Sequence, residues 1–328
     1  MLINLFGGKI CFMMSVYSYI AISTPAKYRT LRFVSCAIVE LLAVLVINIS
    51  GYSYKLFGYT TSFAIGACCQ IAALIYIVMI LKEPKLSQMI DNNEPSKPIS
   101  TGNNMCIQFF NLKLLKDFIK VPFIRRKNNG RSILLLLILA YFLTSQHGKL
   151  ISDIGWRFST RFPYYYESIN LYNFILSSAI MGIYVGYLLL SKLMKLSDSV
   201  MGMLISSITA MFRLAPVFLG KDSISYVTVI FEKAGMIHYV PIQSIASSIS
   251  NDYGKMFSLF AILQYFGKTF FVRMLFYMSG ENTRSFYEVF LYLSIGLIFM
   301  ACYFLIRRQN TKLAKKDGTN EQQDSINI

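Results

Sequence analysis

The stretch from Lys82 to Arg131 reads KEPKLSQMIDNNEPSKPISTGNNMCIQFFNLKLLKDFIKVPFIRRKNNGR. It carries ten lysines and arginines, and its first half holds Asn92, Asn93, Pro95, Pro98 and Gly102, residues that favour turns over regular structure. On either side the chain is almost continuously apolar: three long apolar runs precede the stretch and six follow it. Their bounds fall near 3–22, 33–50, 61–81, 132–150, 168–191, 199–219, 223–248, 255–278 and 286–306. Each run is long enough for a tilted helix through a hydrocarbon core of about 30 Å. None has the alternation that a membrane β-barrel needs. The expected fold class is therefore all-α: a polytopic membrane protein with about nine transmembrane helices, divided three plus six by a basic loop.

Composition agrees, since 55% of the residues are hydrophobic and only 15% are charged, more apolar surface than a soluble domain buries. The formal charge of +16 does not point to nucleic acid, because lysine and arginine cluster between the apolar runs. With the basic loop in the cytoplasm, the inside segments carry Lys27, Arg29, Arg32, the ten loop cations, Lys192, Lys195, Lys255 and the tail cluster Arg307, Arg308, Lys312, Lys315 and Lys316. Outside fall only Lys55, Lys149, Arg157, Arg161, Lys221 and Arg284. This asymmetry sets a cytoplasmic C-terminus and places Met1 outside, an orientation that an odd number of further upstream spans would explain. Four regions follow: a partial N-terminal bundle at 1–81; a cytoplasmic loop at 82–131, with an amphipathic helix over 109–120; a six-helix bundle at 132–306; and a cytoplasmic tail at 307–328. Cys11, Cys36, Cys68, Cys69 and Cys302 lie inside apolar runs and Cys106 in the loop, a spacing unlike a metal knuckle or a secreted disulfide framework, so no metal or cofactor is expected.

The chemistry of such a chain resides in polar residues at membrane depth, where a charge costs several kcal/mol unless it faces a wet cavity or a partner. Glu40 is near the middle of the second run, either a proton acceptor or a helix-bridging carboxylate. Glu232 and Lys233 are adjacent and about 100° apart on a helix, so they do not simply neutralise each other, and one of them is expected on a translocation path. His238 is either a group titrating near neutral pH or a hydrogen-bonded interface residue. Lys268 is positioned to meet an acidic solute or Glu232. Gly182 and Gly186 are expected to allow close helix approach. Lys192, Lys195 and Asp198 form a charged cytoplasmic turn; positive-inside anchoring explains its lysines but not Asp198. No nucleophile and base set or phosphate loop appears, so an enzyme is not expected.

Three blocks occur in order and at characteristic spacing: YSYIA at 17–21 followed by RTLR at 29–32, LSKLMKLSDS at 190–199, and GKMFSLFA at 254–261. Together they resemble the major facilitator branch that contains the proton-coupled folate transporter and the thymic stromal cotransporter, solute carrier family 46. The resemblance runs from about Leu5 to Ile306 and fits that family from its fourth helix onward. It implies an incomplete major facilitator fold, two bundles rocking about a mid-membrane site, and a charged gating turn at Lys192, Lys195 and Asp198. It also marks departures: Ile22 and Gln264 stand where relatives carry acids, Gln243 where they carry arginine, and Glu40 one turn beyond the family carboxylate.

The function expected on this reading is secondary active transport of an organic, folate-like anionic solute by alternating access, coupled to protons, in the plasma membrane or an endolysosomal membrane. The expected partners are the lipid bilayer, the solute and protons, with no nucleic acid. Helices lacking from the first bundle would leave a cavity wall open, so the chain is expected to transport poorly alone. The alternative is a degenerate, non-transporting paralogue that regulates or assembles with a full-length transporter.

Overall fold

The computed structural model describes residues 8–80, 120–124, 126, 129–161, 165–219, 235–250, 252–266 and 281–324. Its regular elements are α1 (Gly8–Ser23), α2 (Ala26–Ile80), a 3-10 turn at Val121–Phe123, α3 (Gly130–Arg161), α4 (Tyr165–Met194), α5 (Asp198–Leu219), a 3-10 turn at Gly235–His238, α6 (Tyr239–Ile249), α7 (Tyr253–Phe266) and α8 (Glu281–Asp324). The described residues are helical throughout their regular structure, as an all-α reading requires. Among them, Gly58–Met79, Ser177–Met194 and Val289–Arg308 are long and apolar enough to cross a membrane, and Gly8–Ser23, Gly130–Ser145 and Asp198–Phe212 are shorter apolar helices.

The second and third apolar runs differ from the expectation of two helices joined by a loop. They lie on one 55-residue helix, α2, interrupted only at Gly58, where φ is 75° and ψ 175°. A straight helix of that length would measure about 80 Å, and Gly58 divides it, with the segment long and apolar enough to cross a membrane beginning at the break. That backbone conformation is open essentially to glycine alone. Beyond the break, no residue of Gly58–Met79 is buried.

The rest packs around an aromatic centre. Tyr141 of α3 stacks on Phe260 of α7 with ring centroids 4.3 Å apart and leans on Tyr239 of α6 at 5.0 Å. Phe257 of α7 meets Tyr17 of α1 and Phe33 of α2 at 6.3 and 6.1 Å. Five helices thus contribute rings to one core, and the edge-on and offset geometries are those that aromatic quadrupoles favour. α1 packs on α7, α2 on α4 and α6, and α8 on α5 and α3.

The tightest approach is between α5 and α8. A side chain at Gly202 would stand 2.6 Å from the ring of Phe299, and one at Gly296 would stand 3.2 Å from Ser206. Small residues thus bring these helices together, as in membrane helix pairs. Gly182 and Gly186 do not play that part: both face open space, because they lie on a side of α4 that no described helix covers.

Gly202→Ala is expected to destabilise the protein by about 1 to 3 kcal/mol through overpacking against Phe299. Its apparent melting temperature in detergent should fall, and Phe299→Leu in the same chain should recover most of the loss, because it removes the ring that the new methyl meets. A neutral Gly202→Ala would mean that the two helices are not in this register.

Candidate functional site

The polar contacts of the molecule concentrate where the short link between α1 and α2 meets the ends of α5, α6 and α7. The Arg29 guanidinium donates from Nε to the Thr24 carbonyl at 3.0 Å, from Nη1 to the Ser247 carbonyl at 2.7 Å and from Nη2 to the Tyr253 hydroxyl at 2.8 Å. It also lies over the Tyr253 ring, 4.9 Å from the centroid. Its planar fork engages three separate segments at once, which a lysine cannot do. Next to it, the Thr30 hydroxyl donates to the Asp198 carboxylate at 3.0 Å and lies 2.7 Å from the Ser244 hydroxyl. Arg29 and Thr30 therefore tie α2 to α5, α6 and α7 across more than 160 residues of chain.

The local sequence places Asp198 for this role. α4 stops at Met194, and Lys195 takes the left-handed conformation, φ 48°, that turns the chain out of a helix. Asp198 then opens α5, where the helix dipole favours a negative charge. Burial pushes its carboxyl above the ordinary range, while hydrogen bonds from Ser244 and Thr30 pull it back. The Tyr187 hydroxyl is close enough to feel its charge and is buried without a partner among the described residues. Lys192 and Lys195 point outward and are exposed, so of the three residues in the charged turn only Asp198 enters the cluster.

The other sequence candidates are dispersed. Glu40 pairs with Lys9 and so bridges α2 to α1. His238 is fully buried: one ring nitrogen is 2.9 Å from the Ser206 hydroxyl, the other 2.6 Å from the Gly235 carbonyl, and its ring packs beside Tyr292 and Phe299. This is the geometry of an interface histidine. Gln243 is buried within α6. Gln264 accepts the Tyr141 hydroxyl proton at 3.0 Å, which fixes the central ring of the core. Glu232, Lys233, Lys268 and the amphipathic segment before Lys120 lie outside the described residues.

Separately, a groove of about 1060 Å³ runs between α1 and α7, lined largely by apolar and small side chains. None of the described sequence candidates lines it. Thr30, Ser244, Ser247 and Tyr253 were not readable as functional from sequence; the one signal was Asp198, a carboxylate in a basic turn with no local reason to be there.

Among the described residues, no group of histidine, cysteine and carboxylate side chains is arranged to hold a metal ion. Compared with known families and characterised proteins, the chain matches no family model and no curated protein.

Proposed function

We propose that this chain is a multi-pass membrane transporter subunit of major facilitator type, moving an organic, folate-like anion by alternating access, and that the Arg29, Thr30 and Asp198 cluster is its cytoplasmic gate. The carrying observation is the Thr30 to Asp198 hydrogen bond, which joins the first bundle to the second across 168 residues of sequence. All of its members fall in segments that the charge distribution assigns to the cytoplasmic side. A gate must close tightly and open at modest cost, and a handful of hydrogen bonds at a solvated rim satisfies both. The interlocked α5 and α8 contact is the opposite case and moves as one body.

The gate supplies a route to proton coupling. In the closed form burial holds the Asp198 carboxyl above its ordinary value; once the rim opens, water returns it towards that value. The closed form therefore binds the proton more tightly. Lowering the pH through the window between the ordinary and the raised value favours closure, and raising it favours opening.

The bare face of Gly58–Met79 and the open groove favour a second reading, a non-transporting partner that completes its bundle on a full-length transporter.

Two measurements bear on these readings. Membrane-impermeant alkylation of Ser247→Cys, applied from the cytoplasmic side in a Cys106→Ser background, should be slow. Thr30→Val should speed it about tenfold, the loss of one hydrogen bond to a charged group. Relative to a free thiol alkylated at the same pH, which corrects for thiol ionisation, acidification should slow it further, and Asp198→Asn should remove that remaining pH dependence; equal relative rates in all variants would sink the gate. Uptake of radiolabelled folate and related anions by cells expressing the chain should exceed vector controls. It should fall in Glu40→Gln and Asp198→Asn at equal amounts of folded protein. No uptake, with gate accessibility indifferent to every solute, would move the partner reading ahead.

A further inference from the structure

Two surfaces of the described residues are open, and they are complementary. The first is the groove between α1 and α7, whose floor is made of small side chains: Ser15 and Ser18 on α1, Gly254, Ser258 and Ala261 on α7. Small residues let another helix backbone approach closely. The groove follows about 12 residues of each helix, roughly 18 Å, or about three turns of an incoming helix. The second surface is the Gly58–Met79 helix, which has no buried residue. It carries Gln70, an exposed amide in the middle of an otherwise apolar span, and such an amide in hydrocarbon needs a partner.

We infer that the α1 and α7 groove seats the Gly58–Met79 helix of a second copy of this chain, and that the exchange is reciprocal. The inference rests on the membrane topology proposed above, in which α1 and the end of α2 run in the same direction towards the cytoplasm. Depths then match. By the ends of the apolar runs at 22 and 81, Cys11 stands 11 residues before the end of the first and Cys68 13 before the end of the third, a difference of about 3 Å. Gln70, 11 residues before position 81, falls at the level of Cys11 and about one turn from Ser15. The Ser15 hydroxyl gives its proton to the Cys11 carbonyl at 2.9 Å, which leaves its oxygen free to accept from an incoming amide. Ser18 and Ser258 have no hydrogen-bond partner among the described residues, so a helix bearing polar groups suits the floor better than an acyl chain does.

The hinge for the exchange is Gly58. A side chain at Gly58 would meet nothing within 4 Å outside its own helix, and its backbone is already outside the helical region, so the chain can bend there without displacing a packed neighbour. Each copy offers one helix and one groove, so two copies close on a two-fold axis with nothing left over.

The native thiols supply the test, because Cys11, Cys68 and Cys69 are all free and exposed. Mild copper phenanthroline oxidation of membranes containing the full chain should give a band at twice the monomer mass on a non-reducing gel. That band should persist in Cys36→Ser, Cys106→Ser and Cys302→Ser. It should vanish both in Cys11→Ser and in the double variant Cys68→Ser with Cys69→Ser. Co-expressing those last two variants should restore it between the two differently tagged copies. Without any crosslink, single-molecule photobleaching should count two copies, and Gln70→Leu should lower the dimeric fraction several-fold while Gln70→Asn retains it. A band indifferent to Cys11, or a monomer count in a carbonate-resistant membrane protein, overturns this inference and leaves the transporter reading standing. Bound lipid on such a monomer would identify the occupant instead. A chain released by carbonate overturns both.

Discussion

A carboxylate withdrawn from water at the start of a helix must be hydrogen-bonded or lose its charge, and Asp198 sets that condition for the end of the molecule where α2, α5, α6 and α7 meet. The turn at Lys195 delivers it, the dipole of α5 tolerates it, and two hydroxyls from α2 and α6 complete it. Because Thr30 sits one residue after Arg29, satisfying the carboxylate also brings the guanidinium against the end of α6 and the start of α7. A single desolvated charge therefore fixes four helix ends relative to one another. Its bonds are also the ones most exposed to a change of pH or solvation.

Elsewhere the polar groups are bolts inside apolar packing. His238 satisfies both ring nitrogens within α5 and its own 3-10 turn, and Tyr141 ties α3 to α7 through Gln264 while stacking on Phe260. Neither exposes a free group to a cavity. The contrast with the Arg29 cluster is one of surroundings: a hydrogen bond enclosed by rings is costly to break, and one at a rim exchanges readily with water. The molecule thus has a stiff centre and a breakable edge.

Helical class and the positions of most apolar runs were legible in the sequence, because twenty apolar residues in a row have few folds open to them. The charged turn was legible as a turn, and Asp198 as its unexplained member. What it pairs with was not. Thr30, Ser244 and Tyr253 are ordinary residues far apart in sequence, and only packing brings their hydroxyls to one place. Glu40 shows the reverse: an acid read from sequence as either a proton acceptor or a helix-bridging carboxylate pairs, half-buried, with Lys9 on the neighbouring helix. Gly182 and Gly186 carried the spacing of a helix contact, but close approach occurs at Gly202 and Gly296, since small residues permit contact without choosing the partner.

The break at Gly58 separates two regimes of the same helix. Before it, Phe33, Val34 and Ala37 are buried against the core; after it, an equally apolar segment has no buried residue. Sequence hydropathy cannot distinguish these, because lipid and protein interior reward the same side chains. The polar residues do distinguish them. Where the helix is packed, its serines and threonines are claimed by neighbours, as Thr30 is by Ser244 and Asp198. Beyond the break Gln70 has no such claimant among the described residues, although the bilayer penalises an unpaired amide as heavily as a protein core does. An apolar face can remain in lipid indefinitely, but a mid-membrane amide cannot remain there without cost. The pressure to associate therefore comes from Gln70, with the exposed leucines and isoleucines around it indifferent to the outcome.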